Sequence, residues 1–177
     1  MFMWQSHAIA LFPGGFGTHD EGFEALTLVQ TGKAPVVPIV MVDEPGGAYW
    51  YYWQDYVREH LLHTGLISPE DLSLYHIFDD PRKAAEHVKA FYSTYHSQRF
   101  VRDTLVLRLK KPLPQGVLKA LNDEFGDILA QGEITQCTAL EEETDFLELP
   151  RLRLLFNKRS HGRLRQMIDR INQLSHC

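Results

Sequence analysis

The feature that most constrains this chain is the segment Pro13-Gly14-Gly15-Phe16-Gly17-Thr18-His19-Asp20-Glu21, which follows an apolar run from His7 to Phe12. An apolar run halted by Pro-Gly-Gly reads as a buried strand entering a tight loop. Beyond the loop, Phe23, Leu26 and Val29/Gln30 recur at helical spacing, and Gly32 stands where that helix would stop. Glycines let a backbone approach a ligand closely and aim several N–H groups at one point. With a helix N-terminus behind them, the guest that suits them is a phosphate. The segment lacks the Lys-Ser/Thr ending of a Walker loop, and counted from Gly15 the third glycine of a dinucleotide fingerprint is Asp20. A second reading stands beside the first. Thr18 and Glu21 have the spacing of a capping box, in which Glu21 would accept the Thr18 backbone N–H. Asp20 then reads as a first-turn charge favoured by the helix dipole.

Downstream, Val36 to Val42 is a continuous β-branched run with the look of a strand buried on both faces. Tyr49 to His63 reads as a helix, Pro69 opens a short helical turn, Leu74 to Phe78 is a third strand, and Pro81 to Tyr95 is a long helix. Strands alternating with helices imply a parallel sheet. Three strands make half of a doubly wound, Rossmann-like sheet.

The chain changes character near residue 98. Residues 1–98 carry 5 Lys+Arg against 12 Asp+Glu and hold all three Trp and all seven Tyr. Residues 99–177 carry 13 Lys+Arg against 11 Asp+Glu, with four Phe as their aromatics. We therefore expect two units: 1–98, an α/β part that binds a nucleotide phosphate, and 99–177, a small α+β accessory unit. In the second, Thr104 to Leu109, Glu133 to Ala139 and Arg151 to Phe156 read as strands. Pro114 to Phe125 and His161 to Leu174 read as helices. The order βαββα suits an incomplete ferredoxin-like sandwich. No internal repeat is visible.

The net charge of −5 argues against a nucleic-acid binder. No apolar run reaches bilayer length and no signal peptide is visible, so no membrane partner is expected. Two cysteines, Cys137 and Cys177, cannot build a disulfide framework, and reduced, cytoplasmic thiols are the expectation.

The whole string from Pro13 to Glu21 resembles the PGGxGTxxE motif of the Lonely Guy family, also labelled "lysine decarboxylase-like", whose members are phosphoribohydrolases of nucleoside 5′-monophosphates. The resemblance extends to Ser6-His7-Ala8-Ile9-Ala10-Leu11-Phe12 before the motif. After it come Glu24, Gln30-Thr31-Gly32-Lys33 and Pro38-Ile39-Val40, so that roughly residues 1–96 are covered. The remainder looks like a longer bacterial branch. The resemblance implies that Gly14, Gly15, Phe16, Gly17 and Thr18 hold the 5′-phosphate and that Glu21 is the catalytic carboxylate, with Glu24 a candidate contact of the ribose. It implies a purine-type nucleoside monophosphate as substrate, release of free base and ribose 5-phosphate, a homo-oligomer (most simply a dimer), and neither cofactor nor metal. Breaking an N-glycosidic bond builds positive charge on the sugar, which a carboxylate near C1′ stabilises.

One departure matters. The family also uses an Arg, in an Arg-Lys pair about fifteen positions before the motif proline, and that position falls ahead of Met1. The upstream half of the sheet is missing with it. The expectation is a C-terminal piece of a longer protein, inactive or nearly so by itself, with one sheet edge and one apolar face uncovered.

Other residues admit plainer roles. His60 and His63 sit three apart but have no third ligand at clear spacing, so surface histidines are favoured over a metal site. The run Tyr49-Trp50-Tyr51-Tyr52-Trp53 with Tyr56 suits base stacking, packing on the sheet or a dimer interface. Gly46-Gly47 before it reads as a mobile loop beside the site. The basic stretch 151–170 suits an anionic regulator or nucleic acid, against a solvated face neutralised by the acidic loop Glu141, Glu142, Glu143, Asp145 and Glu148, which is favoured. A catalytically silent nucleotide sensor is the remaining alternative.

Overall fold

In the computed structural model, which describes residues 6–175, β1 (Ile9–Leu11), β2 (Ile39–Val42) and β3 (Tyr75–Phe78) form one parallel sheet in the order β1-β2-β3. Ile9 lies opposite Ile39, and Ile39 opposite Tyr75. All four residues of the central strand β2 are buried. That is why the run reads as continuously apolar rather than alternating. β1 is the edge of this sheet, with Ala10 exposed between two buried neighbours.

The connections are helical. α1 (Phe16–Gln30) joins β1 to β2 and buries the small stripe Gly22, Ala25 and Val29. It ends where expected: Gly32 adopts φ +70° and its N–H donates to the Val29 carbonyl at 3.0 Å. α2 (Tyr49–Tyr56) follows β2 and buries Trp50 and Trp53, the Trp50 indole donating to the Val42 carbonyl at 3.3 Å. The expected helix to His63 continues past Tyr56 not as an α-helix but as a wider π-turn, Val57–Leu62. α3 (Pro81–Phe91) lays Ala84 and Val88 on Val40, Val42 and Phe78.

The chain divides into two compact units at Met1–Lys89 and Ala90–Cys177, earlier than the composition step at residue 98. The reason is a strand that the periodicity hid. The helix expected to reach Tyr95 stops at Phe91, and β4 (Tyr95–Val101) opens the second unit. The buried Asn172 side chain holds this junction. Its carbonyl accepts from the Thr94 and Tyr95 amides at 2.9 and 3.0 Å, and its amide donates to the Phe91 carbonyl at 2.5 Å.

β4 pairs with β5 (Thr104–Leu109), α4 (Gln115–Phe125) follows, and β6 (Leu129–Cys137), β7 (Arg151–Phe156) and α5 (His161–Leu174) complete the unit. The sheet is antiparallel, in the order β4-β5-β7-β6. With β4 added the order is ββαββα, two successive ββα segments meeting through β5 and β7, and not the expected βαββα. Thus a structural repeat exists here that the residues themselves do not show. Chain-wide, the fold is α/β in its parallel part, followed by an antiparallel sheet with helices. Cys137 is half-buried, and burial pushes its thiol above the ordinary value; Cys177 lies outside the described residues.

The outer loop between β6 and β7 is fixed by buried charge. Glu143 accepts from Arg108 Nη2 at 2.8 Å and from Arg151 Nε at 3.0 Å, and the side chains of Glu143 and Arg151 are wholly enclosed. The other Arg151 nitrogens donate to the Phe146, Leu149 and Asp145 carbonyls. Burial would raise the Glu143 carboxyl, but hydrogen bonds from Arg151, the Leu140 amide and Arg108 outweigh it and hold the group below its ordinary value.

A carboxylate depressed on folding contributes stability that is present above its unfolded pKa and lost as pH falls through the folded one. Glu143→Gln leaves two guanidiniums without the carboxylate they share, and is expected to cost about 3–5 kcal/mol in urea denaturation at neutral pH. That difference between wild type and variant shrinks as the pH is lowered below roughly 4.5. A variant as stable as wild type at pH 7 would show that the loop is not held by this charge.

Candidate active site

A parallel sheet carries its connecting loops at the C-terminal ends of its strands, where ligands of open α/β sheets bind. Here Phe12 and Pro13 follow β1, Asp43 and Glu44 follow β2, and Pro81 follows β3. Together with Gly47, Ala48 and Tyr49 they line a cleft of about 600 Å³. A smaller, more enclosed apolar cavity of about 140 Å³ lies between other walls, Phe23, Leu26, Trp53, Val57, Leu61 and Leu74 among them, and includes no residue of the glycine loop.

The loop itself settles one question the spacing left open. α1 begins at Phe16, two residues before Thr18, with Gly15 as its N-cap and no side-chain hydrogen bond at the cap. The Thr18–Glu21 capping box is therefore not formed. Asp20 is not in the first turn, which holds no acidic residue. Thr18 and His19 donate their amides to the Gly15 carbonyl, at 3.1 and 3.4 Å. The amides of Phe16 and Gly17 belong to the set a helix leaves without an internal carbonyl partner.

Thr18 is turned toward the loop. A Cβ built on Gly14 would stand 2.2 Å from its Oγ1, so the loop could not lie this close to Thr18 with a larger residue there. Gly17, by contrast, has nothing within 4 Å of a Cβ position, and Phe16 is 96% exposed. Glu21 and Glu24 are exposed. Residues four apart share a helix face, and side chains lean toward the helix N-terminus. Glu21 thus overhangs the turn of Gly17, which has no side chain to obstruct it. Glu24 lies a turn further along the same stripe.

Beyond the glycine loop and Glu21, contacts of Tyr49, His19 and Asp43 shape this region. The Tyr49 hydroxyl meets the Gly14 carbonyl at 2.5 Å and His19 Nε2 at 2.7 Å. Buried Asp43 accepts from the Glu44 amide at 3.0 Å and the Trp50 amide at 3.3 Å, fixing the start of α2. The position of Gly47 is tied to it, since a Cβ there would lie 2.4 Å from Asp43 Oδ1. Of the pair Gly46-Gly47, read as a mobile loop, Gly47 thus packs on that carboxylate, while Gly46 has open space around it. An acid directly after a strand whose loop faces the cleft was the available signal for Asp43. Tyr49 carried none, being one of six aromatics between residues 49 and 56.

None of Gly14 to Thr18, Glu21 and Glu24 lines the cleft itself, and the remaining candidates are not among its walls either. His60 and His63 are exposed, and among the described residues no three His, Cys, Asp or Glu groups converge where a metal ion could be held. Most of the basic residues of 151–170 are paired, but mainly outside the acidic loop. Lys158 pairs with Asp103, Arg163 with Asp127, Arg165 with Asp169 and Arg170 with Glu124, while Arg151 alone among these meets Glu143. Nor is the stretch simply a solvated face, because Arg151 and Arg165 are fully buried. Among the described residues no helix is long and apolar enough to cross a membrane.

Compared with known proteins, the chain matches no curated protein. Residues 1–88 match the model of a family described as "possible lysine decarboxylase", the group to which the Lonely Guy resemblance pointed. The matched segment is the parallel α/β unit almost to its last residue, and it contains the glycine loop, Glu21, Asp43 and Tyr49. Through residues 1–88, then, this chain belongs to the family described as possible lysine decarboxylase.

Proposed function

We propose that the first unit carries the site of a nucleoside 5′-monophosphate phosphoribohydrolase, which hydrolyses the N-glycosidic bond to free base and ribose 5-phosphate. The observation that carries this reading is the N-terminus of α1. It starts on Gly15 with no side-chain cap and no acid in its first turn, and an exposed carboxylate, Glu21, overhangs the same turn. Unpartnered amides at the positive end of a helix suit a phosphate dianion. In this reading Gly14 to Thr18 hold the 5′-phosphate, and Glu21 stabilises positive charge at C1′ or orients the attacking water. Glu24 is near enough along the stripe to meet ribose hydroxyls. The cleft beside the loop is wide enough for a purine-type base.

The second unit is proposed as an accessory that contributes no group to this chemistry. The pairing of its basic residues with carboxylates leaves less free charge for a nucleic acid than the sequence suggests. For a homo-oligomer the supporting observation is on α2, whose Tyr52 and Tyr56 are exposed four residues apart. Sedimentation at micromolar concentration checks it, and a monomer would count against an interface there.

Two measurements test the site. A panel of nucleoside monophosphates and matching nucleosides is incubated with the protein and free bases are resolved by chromatography. Little or no base release is expected from this chain alone; in a protein extended upstream through the Arg-Lys pair, monophosphates are expected to release base and nucleosides to remain intact. In that extended protein Glu21→Gln is expected to lower turnover by roughly a hundredfold or more with unchanged melting. Turnover that survives the change would leave Glu21 as a surface residue of α1, and monophosphate binding without base release would make the protein a nucleotide sensor.

Gly17→Ala separates stability from binding. The open space around Gly17 and its place inside α1 predict a gain of about 0.5–1 kcal/mol in folding stability. The added methyl stands where the anion would approach, so monophosphate affinity is expected to fall. Calorimetric titration and thermal melting of the one variant read both effects.

A further inference from the structure

We propose that Tyr49 is a positioning residue for the anion loop, fixing from α2 the direction in which the loop presents its amides. The inference rests on the reading of Gly14 to Thr18 as a phosphate site.

The hydrogen bonds have a defined sense. A carbonyl can only accept, so the Tyr49 hydroxyl hydrogen goes to the Gly14 oxygen at 2.5 Å. That hydroxyl has no second hydrogen, so His19 Nε2 is the donor in its 2.7 Å contact with Tyr49 Oη. The chain of bonds therefore runs from His19, at the end of the first turn of α1, through Tyr49 on α2, to the peptide just ahead of the α1 N-cap. Tyr49 spans the helix start as a brace, with its two attachment points five residues apart in sequence.

The brace determines where an amide points. In a trans peptide the C=O and the N–H project in opposite directions. A Gly14 carbonyl held toward Tyr49 turns the Gly15 N–H away from it. Glycine peptides rotate with little steric restraint, so without such a tie Gly14-Gly15 would sample several orientations. Thr18 Oγ1 stands in the space a side chain at Gly14 would need, so the loop keeps its course only with glycine there. Donors already aimed at the place where charge will sit bind it without a reorganisation cost.

The ring has a separate packing role. Its centroid lies 4.9 Å from that of Trp50, edge to face, and 5.7 Å from the His19 ring. Tyr49→Phe keeps these contacts and removes the hydroxyl alone. The readout is the ratio of affinities for adenosine 5′-monophosphate and adenosine, measured by calorimetric titration of the full chain. A positioning role predicts that this ratio falls roughly three- to tenfold in Tyr49→Phe, the worth of one hydrogen bond, with adenosine affinity and melting temperature unchanged. A merely structural role would lower the melting temperature or weaken both ligands together. Wild type that prefers the monophosphate and a variant that keeps the full preference would overturn the role of Tyr49 and leave the phosphate site standing. Wild type with no preference for the monophosphate would overturn the phosphate site and this inference with it.

Discussion

A helix that begins without a cap has donors to give away, and the candidate site of this protein follows from that condition. α1 starts at Phe16 behind its N-cap Gly15, whose lack of a side chain leaves the Phe16 and Gly17 amides without a local acceptor. Where those amides face is set by the sheet. Parallel pairing of β1 with β2 forces the chain to return along a helix, and that helix must begin at the C-terminal end of β1. The small stripe Gly22, Ala25 and Val29 then lets α1 lie close on the strands. Sheet direction, helix start and loop position are consequences of one connection, and the cleft lined by the ends of all three strands is what that connection leaves open.

The second unit handles polar groups in the opposite manner. Glu143 is enclosed with Arg108 and Arg151, and the hydrogen-bonding capacity of the trio is largely used within the loop and strands. Removing charges from water is costly, and such a cluster persists where every partner is in place. Here it ties the β6–β7 loop to the two central strands. Asn172 acts similarly at the entrance to β4, satisfying two backbone donors and one acceptor with a single amide. Polar satisfaction in this unit is internal, which is the property the glycine loop lacks.

What the residues reveal about this architecture depends on how local the cause is. The three parallel strands, the glycine loop and the Gly32 stop are written in runs of adjacent residues, and they were legible. β4 was not. Tyr92 and Tyr95 continue the helical period of the preceding segment, and the partners that make the strand, β5 and, at its entrance, Asn172, lie further along the chain. The composition step near residue 98 and the division after Lys89 differ because composition follows surface chemistry rather than hydrogen-bond pairing. Tyr49 was hidden among aromatics of similar pattern, which the fold divides into buried Trp50 and Trp53, exposed Tyr51, Tyr52 and Tyr56, and one hydroxyl bonded across 35 residues to Gly14. No periodicity encodes a contact of that kind.

The motif also shows why self-capping and ligand binding are alternatives. Both uses draw on the same few N–H groups, so a loop specialised for one is poor at the other. Thr18 and Glu21 have the right spacing to cap a helix starting at Thr18, yet the helix starts at Phe16 and leaves both residues inside it. A first turn with an acid would gain from the dipole but would repel an incoming anion. The first turn here reads Phe16, Gly17, Thr18, His19, and the acids Asp20 and Glu21 begin directly after it. This order keeps the helix end positive while bringing a carboxylate to within about two turns of it. In the function proposed above, a bound phosphate and a developing positive charge on a sugar need those two opposite fields side by side, at one short helix start.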